Sequence, residues 1–153
     1  MKASENSKVY VETVVMERTY RATPARVFAA WSDTEARKRW GRPSPDVIVV
    51  YDRADFRVGG VDDSRCGTPD DLRFRAVVRY MEITQDRRII FAEHVSESGE
   101  SRAASLITVD FEADGASTRL TLTLQISSID GPEMLQGYRQ GWEPSLDNLA
   151  AEF

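Results

Sequence analysis

Cysteine and histidine are scarce in this chain of 153 residues, which contains one of each, Cys66 and His94. A single cysteine excludes an intramolecular disulfide and a metal site built from several cysteines. A single histidine excludes a multi-histidine metal site and leaves His94 as the one base available to a Ser-His-Asp triad. We expect Asp62 and Asp63 to raise the pKa of the Cys66 thiol. These features predict a reducing compartment, with no bound metal or cofactor.

Long apolar runs and an excess of positive charge are also missing. No stretch approaches the ~20 apolar residues of a membrane-spanning helix, and residues 1–12 lack the apolar core of a secretion signal. The formal net charge of −5 disfavours nucleic-acid phosphates as a partner. The local basic cluster of Arg37, Lys38, Arg39 and Arg42 is interpreted as a solvated helix face and corner. We therefore expect a cytoplasmic protein whose partners are neither nucleic acids nor membranes.

The composition that is present favours one folded domain. The chain is 41% hydrophobic and 29% charged, as ordinary globular proteins are, and it is long enough to bury a sizeable core. No internal repeat or linker divides it. Residues 1–7 are polar, so we expect a disordered tail there and a single domain over residues 8–153.

The first part of the chain predicts a strand followed by two short helices. Residues 9–21 are rich in β-branched and aromatic side chains, which is typical of a strand. Thr23 and Pro24 suit the cap and the first position of a helix. Asp33 or Thr34 can cap a second short helix.

From residue 46 hydrophobic side chains recur at every second residue. This pattern predicts six further antiparallel strands, each with one solvent-exposed face. Asp114-Gly115 predicts a hairpin turn, because this pair tolerates the positive φ angles of such turns. The predicted strands are residues 46–52, 55–60, 72–83, 87–95, 104–112 and 118–126.

Two polar features near residue 60 suggest binding but have simpler interpretations. A phosphate-binding loop would need a helix directly after Gly59-Gly60, and acidic residues follow instead. We interpret these glycines as a bend or bulge in a strand. The pairs Asp62-Asp63 and Asp70-Asp71 lack a regular cation-binding spacing, so we expect a solvated loop.

The C-terminal segment predicts a long helix. Apolar residues recur there at spacings of three and four, which places them on one stripe. Asp130 and Glu133 suggest a capping box at its start, and Pro144 predicts a kink or break. The sheet has one apolar face to cover, and this helix offers the long stripe to cover it. The stripe is formed by Leu135, Tyr138, Trp142, Leu146, Leu149 and Phe153.

The order of these elements, with the segments at their joints, resembles the SRPBCC (START-like, helix-grip) superfamily. Within it the chain is similar to homologues of the heat-shock-protein-90 ATPase activator. The resemblance implies an α+β helix-grip (START/Bet v-like) fold, in which a curved antiparallel sheet wraps around a long C-terminal helix and two short helices follow the first strand. It spans roughly residues 12–153 and is carried by TYRATPARVFAAWSD, RWGRP, DFRVGG, YMEI, RRIIF, TVDFEADGASTRLTLT and GWEPSLDNLAAEF.

The resemblance also implies a cavity between the sheet and the C-terminal helix. Core packing is the alternative for its aromatic side chains, and for Trp40 a structural role between the helix pair and the sheet is favoured. An aromatic cavity with a few polar groups is typical of small-molecule sites. The candidate ligand-binding residues are Trp40, Phe74, Tyr80, Phe91, Tyr138, Trp142 and Leu146.

Glu93 and His94 are the candidate acid or base. Neighbours in a strand point to opposite faces, and Glu93 shares the more apolar face with Phe91 and Val95, so we expect Glu93 inside and His94 outside. Burial would raise the pKa of Glu93 and suit it to proton transfer. The favoured alternative is a carboxylate paired with an arginine.

The function expected from these features is non-catalytic binding of a small hydrophobic or amphipathic molecule. The alternatives are an enzyme of the polyketide-cyclase type, using a buried acid or base, and a chaperone-assisting or stress-response role. We expect the chaperone role least, because the chain lacks the additional domain of the eukaryotic co-chaperone. An exposed sheet edge also suggests a homodimer.

Overall fold

The computed structural model describes residues 8–153, and the predicted disordered tail, residues 1–7, lies outside them. The described part contains seven strands, three α-helices and a final 3₁₀ turn. In chain order they are β1 (Tyr10–Tyr20), α1 (Pro24–Ser32), α2 (Thr34–Trp40), β2 (Ile48–Arg53), β3 (Val61–Thr68), β4 (Asp71–Thr84), β5 (Arg88–Glu97), β6 (Glu100–Asp114), β7 (Ser117–Ser128), α3 (Glu133–Leu149) and the turn Ala150–Glu152. No helix in this part of the chain is both long and apolar enough to cross a membrane.

The strands form one antiparallel sheet with the order β1-β7-β6-β5-β4-β3-β2. Because β1 and β2 lie at opposite edges, the chain between them crosses from one edge to the other as α1 and α2. Both helix starts are as predicted. Thr23 Oγ1 accepts a hydrogen bond from the Arg26 amide at 3.4 Å, and Asp33 Oδ1 accepts one from the Glu35 amide at 3.0 Å. The predicted α+β architecture is confirmed.

The core lies where the sheet meets the helices. Alternate residues of β7 from Leu120 to Ile126 are fully buried, and so are Leu146 and Leu149 of α3. Burying one such side chain contributes about 1.5–3 kcal/mol to stability. Tyr20 of β1 donates a hydrogen bond to the Leu146 carbonyl at 2.6 Å. These contacts hold α3 across the sheet end that contains β1 and β7.

The prediction of a strand at residues 55–60 is wrong, and the predicted solvated loop after it forms β3 instead. Gly59 has a φ of +80°, which a strand does not accommodate, and Gly60 donates to the Arg57 carbonyl at 2.8 Å. The chain therefore turns before β3 begins. In β3 the outward Asp63 pairs with Arg75 of β4 at 2.6 Å. Ion pairs on the outer face thus stabilise a strand whose composition is too polar to suggest one.

The start of α3 also differs from the prediction. Asp130 has a positive φ of 59°, and no side chain caps the helix at Pro132. Instead the buried Ser128 hydroxyl accepts a hydrogen bond from the Met134 amide at 3.2 Å and donates to the Gly131 carbonyl at 2.6 Å. The helix continues through Pro144 without a break and ends at Leu149. A long C-terminal helix is therefore confirmed, but the predicted break at Pro144 is absent and Phe153 of the predicted stripe lies beyond the helix.

Candidate functional site

A cavity of about 460 Å³ lies between the sheet, α2 and α3, within the range typical of small-molecule sites. Its sheet wall consists of the inward positions of four neighbouring strands, because side chains alternate between the two faces. These positions are Val49 and Tyr51 of β2, Asp62, Ser64 and Cys66 of β3, Phe74, Ala76, Val78 and Tyr80 of β4, and Ile89, Phe91, Glu93 and Val95 of β5.

All three tryptophans of the sequence line this cavity, one from each helix. Trp31 stacks on Trp142 with ring centroids 5.7 Å apart and an interplanar angle of 12°. Trp40 tilts against Trp31 at 4.8 Å and donates its indole hydrogen bond to the Ala30 carbonyl at 3.0 Å. Trp40 therefore closes the helix side of the cavity, and it does so from a structurally anchored position.

A buried ion pair between Arg37 of α2 and Asp62 of β3 forms a second part of the wall. Arg37 Nη2 lies 3.1 Å from Asp62 Oδ2, and the same oxygen accepts a hydrogen bond from the Tyr80 hydroxyl at 2.5 Å. Arg37 also donates to the Tyr51 hydroxyl at 3.2 Å and to the Trp31 carbonyl at 2.5 Å. These contacts connect α1, α2, β2, β3 and β4.

The solvated interpretation of Arg37 and Asp62 is therefore wrong. A usable signal was present for Arg37. In α1 the buried Val27, Phe28 and Trp31 have the spacing i, i+1, i+4. Ala36, Arg37 and Trp40 repeat this spacing in α2, so Arg37 occupies a core-facing position. For Asp62 no such signal exists, because the register of β3 with β4 determines which side chains of β3 point toward the cavity.

Glu93 is the second polar feature of the cavity wall, after the pair of Arg37 and Asp62. The Tyr138 hydroxyl donates a hydrogen bond to Glu93 Oε1 at 3.0 Å and lies 2.9 Å from Ser105 Oγ. Burial raises the pKa of Glu93 to about 7, against the opposing effect of the Tyr138 hydrogen bond. Burial also raises the pKa of Tyr138, with the Glu93 charge adding to it. At neutral pH the Glu93 carboxyl is thus divided between its protonated and ionised forms.

The orientation expected on β5 agrees with the structure. Glu93 faces the cavity, while His94 is exposed on the outer face with Nε2 2.9 Å from Ser101 Oγ. The favoured alternative for Glu93 is wrong, since within residues 8–153 no arginine forms an ion pair with it. A catalytic role for either residue stays a prediction.

Six of the seven ligand-binding candidates line the cavity, and Leu146 does not. Leu146 is fully buried in the core. The six that line the cavity are Trp40, Phe74, Tyr80, Phe91, Tyr138 and Trp142. That these six bind a ligand stays a prediction.

Two further observations concern metal and thiol chemistry. Within the described residues, no three His, Cys, Asp or Glu side chains lie close enough together to hold a metal ion. Cys66 lines the cavity, and burial raises the pKa of its thiol. The predicted direction is therefore right, but burial is the cause in place of neighbouring carboxylates.

The sheet, the C-terminal helix and the cavity between them define a helix-grip protein. The family model for the activator of Hsp90 ATPase homolog 1-like proteins matches residues 21–153. The chain belongs to this family, and the predicted SRPBCC resemblance is confirmed. No curated protein matches the sequence at a significant level.

Solved structures of related bacterial proteins share the fold over almost the whole chain. The Mll3558 protein from Rhizobium loti is 35% identical, with a TM-score of 0.85 over 95% of this chain and 99% of that one. A protein from Rhizobium leguminosarum is 32% identical, with a TM-score of 0.83 over 95% of each chain. CalU16 from Micromonospora echinospora is 20% identical, with a TM-score of 0.66 over 93% of this chain and 76% of that one, and shows the shared fold alone.

We expect Asp62→Ala to lower the free energy of unfolding by about 3–5 kcal/mol, because Arg37 would remain as an uncompensated buried charge. Asp63→Ala is the matched control. It breaks the outward pair with Arg75 and should cost at most about 1 kcal/mol. Urea unfolding of both variants measures the difference, and equal losses would contradict a dominant role for the buried pair.

Glu93 also predicts a pH dependence of stability. Its pKa is about 7 in the folded protein and about 4.3 in an unfolded chain, so the folded state binds more protons between these values. Stability from this group should therefore fall as pH rises from about 4.5 to 7, by at most about 1.4 kcal/mol per pH unit.

Glu93→Gln should remove this component of the pH dependence and raise the stability at pH 8 relative to the wild type. Urea unfolding between pH 4.5 and 8 measures it, with the outward His94→Gln as a control for general charge effects. A pH profile that Glu93→Gln leaves unchanged would contradict the burial of this carboxyl.

Proposed function

We propose that the protein binds a small hydrophobic or amphipathic molecule in the cavity between the sheet and α3. The observation that carries this proposal is the cavity itself, whose volume is about 460 Å³. Protein interiors are otherwise close-packed and contain few voids larger than a water molecule. An apolar void of this size forfeits dispersion contacts that a ligand would restore.

The lining supports an amphipathic ligand over a purely apolar one. The three tryptophans, Phe74 and Phe91 offer a large apolar surface. Polar groups are few and concentrated around Glu93 with Tyr138, and around Asp62 with Arg37. This combination of a mainly apolar wall with a few oriented polar groups is typical of sites that fix the position of a small molecule.

Binding can be measured through the protein's own fluorescence, because every tryptophan lines the cavity. We expect the neutral apolar probe N-phenyl-1-naphthylamine to quench this fluorescence saturably, with one molecule bound per chain. Mass spectrometry of the purified protein, native and then after denaturation and organic extraction, should identify any molecule that copurifies.

Two adjacent substitutions in β4 provide the control. Ala76 faces the cavity, so Ala76→Phe should fill part of it and abolish probe binding. Val77 points to the opposite face, so Val77→Phe adds a similar volume outside and should leave binding unchanged. Loss of binding in both variants, or in neither, would contradict the cavity as the binding site.

A second candidate function is acid–base catalysis of the polyketide-cyclase type. It is supported by Glu93, because a carboxyl with a pKa of about 7 in contact with the cavity can both donate and accept a proton near neutral pH. In this hypothesis Glu93 abstracts a proton from carbon between two carbonyl groups, and Tyr138 stabilises the ionised carboxylate through its hydrogen bond.

The catalytic candidate predicts turnover of a poly-β-ketone thioester such as a triketide N-acetylcysteamine ester. Glu93→Gln should reduce the rate of cyclised product at least about 100-fold, as expected for loss of a general base, while probe binding persists. Chromatography with mass detection measures the product. A rate equal to the uncatalysed one in the wild type would exclude this activity for this substrate and leave binding as the proposed function.

A further inference from the structure

The carboxyl of Glu93 has unused hydrogen-bonding capacity inside the cavity. Its Oε1 accepts a hydrogen bond from Tyr138, and no residue in the described part of the chain donates one to Oε2. The neighbours across the sheet are Val78 on β4 and Ser105 on β6. Val78 offers no donor, and the Ser105 hydroxyl is directed to Tyr138. A ligand is therefore free to provide the second partner.

The charge of the cavity wall depends on Glu93. Among the described lining residues Arg37 is the only cationic side chain, and its guanidinium already contacts Asp62, Tyr51 and the Trp31 carbonyl. The pair of Arg37 and Asp62 contributes no net charge. An ionised Glu93 consequently leaves the wall with a charge of −1 that no protein cation offsets.

This arrangement discriminates between the polar groups that a ligand can present. A carboxylate or phosphate would meet a like charge and find Arg37 occupied, and unpaired burial of a charge is strongly unfavourable. A neutral hydroxyl can donate a hydrogen bond to the ionised carboxylate or accept one from the protonated carboxyl. A protonated amine adds the attraction of opposite charges to its hydrogen bond with the carboxylate, and aromatic faces such as those of Phe91 and Tyr138 attract cations.

From this geometry we infer that the ligand is an amphipathic amine, with its apolar body against the tryptophans and its protonated nitrogen on Glu93 Oε2. The inference rests on the proposed ligand-binding function and names the chemical class of the ligand. Glu93 is then a specificity-determining residue.

The assignment predicts a pH dependence of binding. The titratable and charged groups that share the cavity wall with Glu93 are Tyr138 from α3, Tyr51 from β2, Tyr80 from β4, Cys66 from β3, and the pair of Arg37 from α2 and Asp62 from β3. Burial raises the pKa of the tyrosines and of the thiol, and Asp62 is paired with Arg37, so Glu93 controls the response near neutral pH. With a pKa of about 7, its ionised fraction rises from about 0.03 at pH 5.5 to about 0.9 at pH 8. Amine affinity should therefore rise about 30-fold over this interval.

Three probes with one ring system test the inference by isothermal titration calorimetry: naphthylethylamine, naphthylethanol and naphthylacetate, which are cationic, neutral and anionic. At pH 8 we expect the amine to bind at least tenfold more tightly than the alcohol, and the acetate most weakly. The preference for the amine should disappear in Glu93→Gln and persist in His94→Gln, the adjacent outward position. The affinity of the alcohol should change much less with pH than that of the amine, because a hydroxyl can hydrogen-bond to either form of the carboxyl.

A second measurement needs no variant and covers the case in which Glu93→Gln fails to fold. At pH 7 amine binding ionises Glu93, so the wild type should release about half a proton per amine bound. Titrations in buffers with different ionisation enthalpies measure this number. The alcohol should release fewer protons than the amine.

The outcomes separate this inference from the function on which it rests. Tightest binding of the alcohol or the acetate at pH 8, or amine binding without proton release, would overturn the amine assignment and leave a ligand-binding cavity. The same holds if N-phenyl-1-naphthylamine binds and naphthylethylamine does not. If neither the neutral probe nor any of the three naphthyl compounds binds, the proposed function fails together with the inference.

Discussion

The architecture of the cavity depends on the buried ion pair between Arg37 and Asp62. Isolated charges are strongly disfavoured in a protein interior, and here each partner is stabilised by further hydrogen bonds. Arg37 also contacts Tyr51 and the Trp31 carbonyl, and Asp62 also accepts from Tyr80 and from the Asp55 amide at 2.8 Å. The pair therefore holds α2 against the half of the sheet that α3 does not cover.

The mutual neutralisation of Arg37 and Asp62 determines which residue sets the net charge of the cavity wall. Because Arg37 and Asp62 cancel each other's charge, the electrostatic character of the cavity passes to Glu93, whose Tyr138 partner comes from α3. The ion pair thus fixes α2 against the sheet, while Glu93 carries the charge of the cavity wall that no protein cation offsets. The stacked Trp31 and Trp142 complete an apolar surface between the helices. The stability of the wall and its net charge therefore depend on different residues.

The fold was largely predictable because most strands are strongly amphipathic. The alternation in residues 118–126 and 104–112 predicts β7 and β6, and the alternation around Glu93 predicts its orientation. The alternation failed in β3, where polar residues occupy both faces and the outward ones are stabilised by partners such as Arg75. The capping box predicted from Asp130 and Glu133 also failed, because Ser128 provides the contacts at the start of α3 instead. Both failures concern side chains whose partners are remote in sequence or lie outside a local motif.

Local order and periodicity are properties that neighbouring residues specify. They were sufficient for the order of strands and helices and for helix starts at Thr23 and at Asp33 or Thr34, whereas the family was indicated by the resemblance of the segments at the joints. The pairing of Arg37 with Asp62 is a different kind of property. Arg37 shares the core-facing spacing of Ala36 and Trp40, but Asp62 lies 25 positions away, and the sheet register determines that it faces Arg37. The raised pKa of Glu93 follows from enclosure by distant elements. Such features depend on packing across the whole chain, so only the tertiary structure decided them.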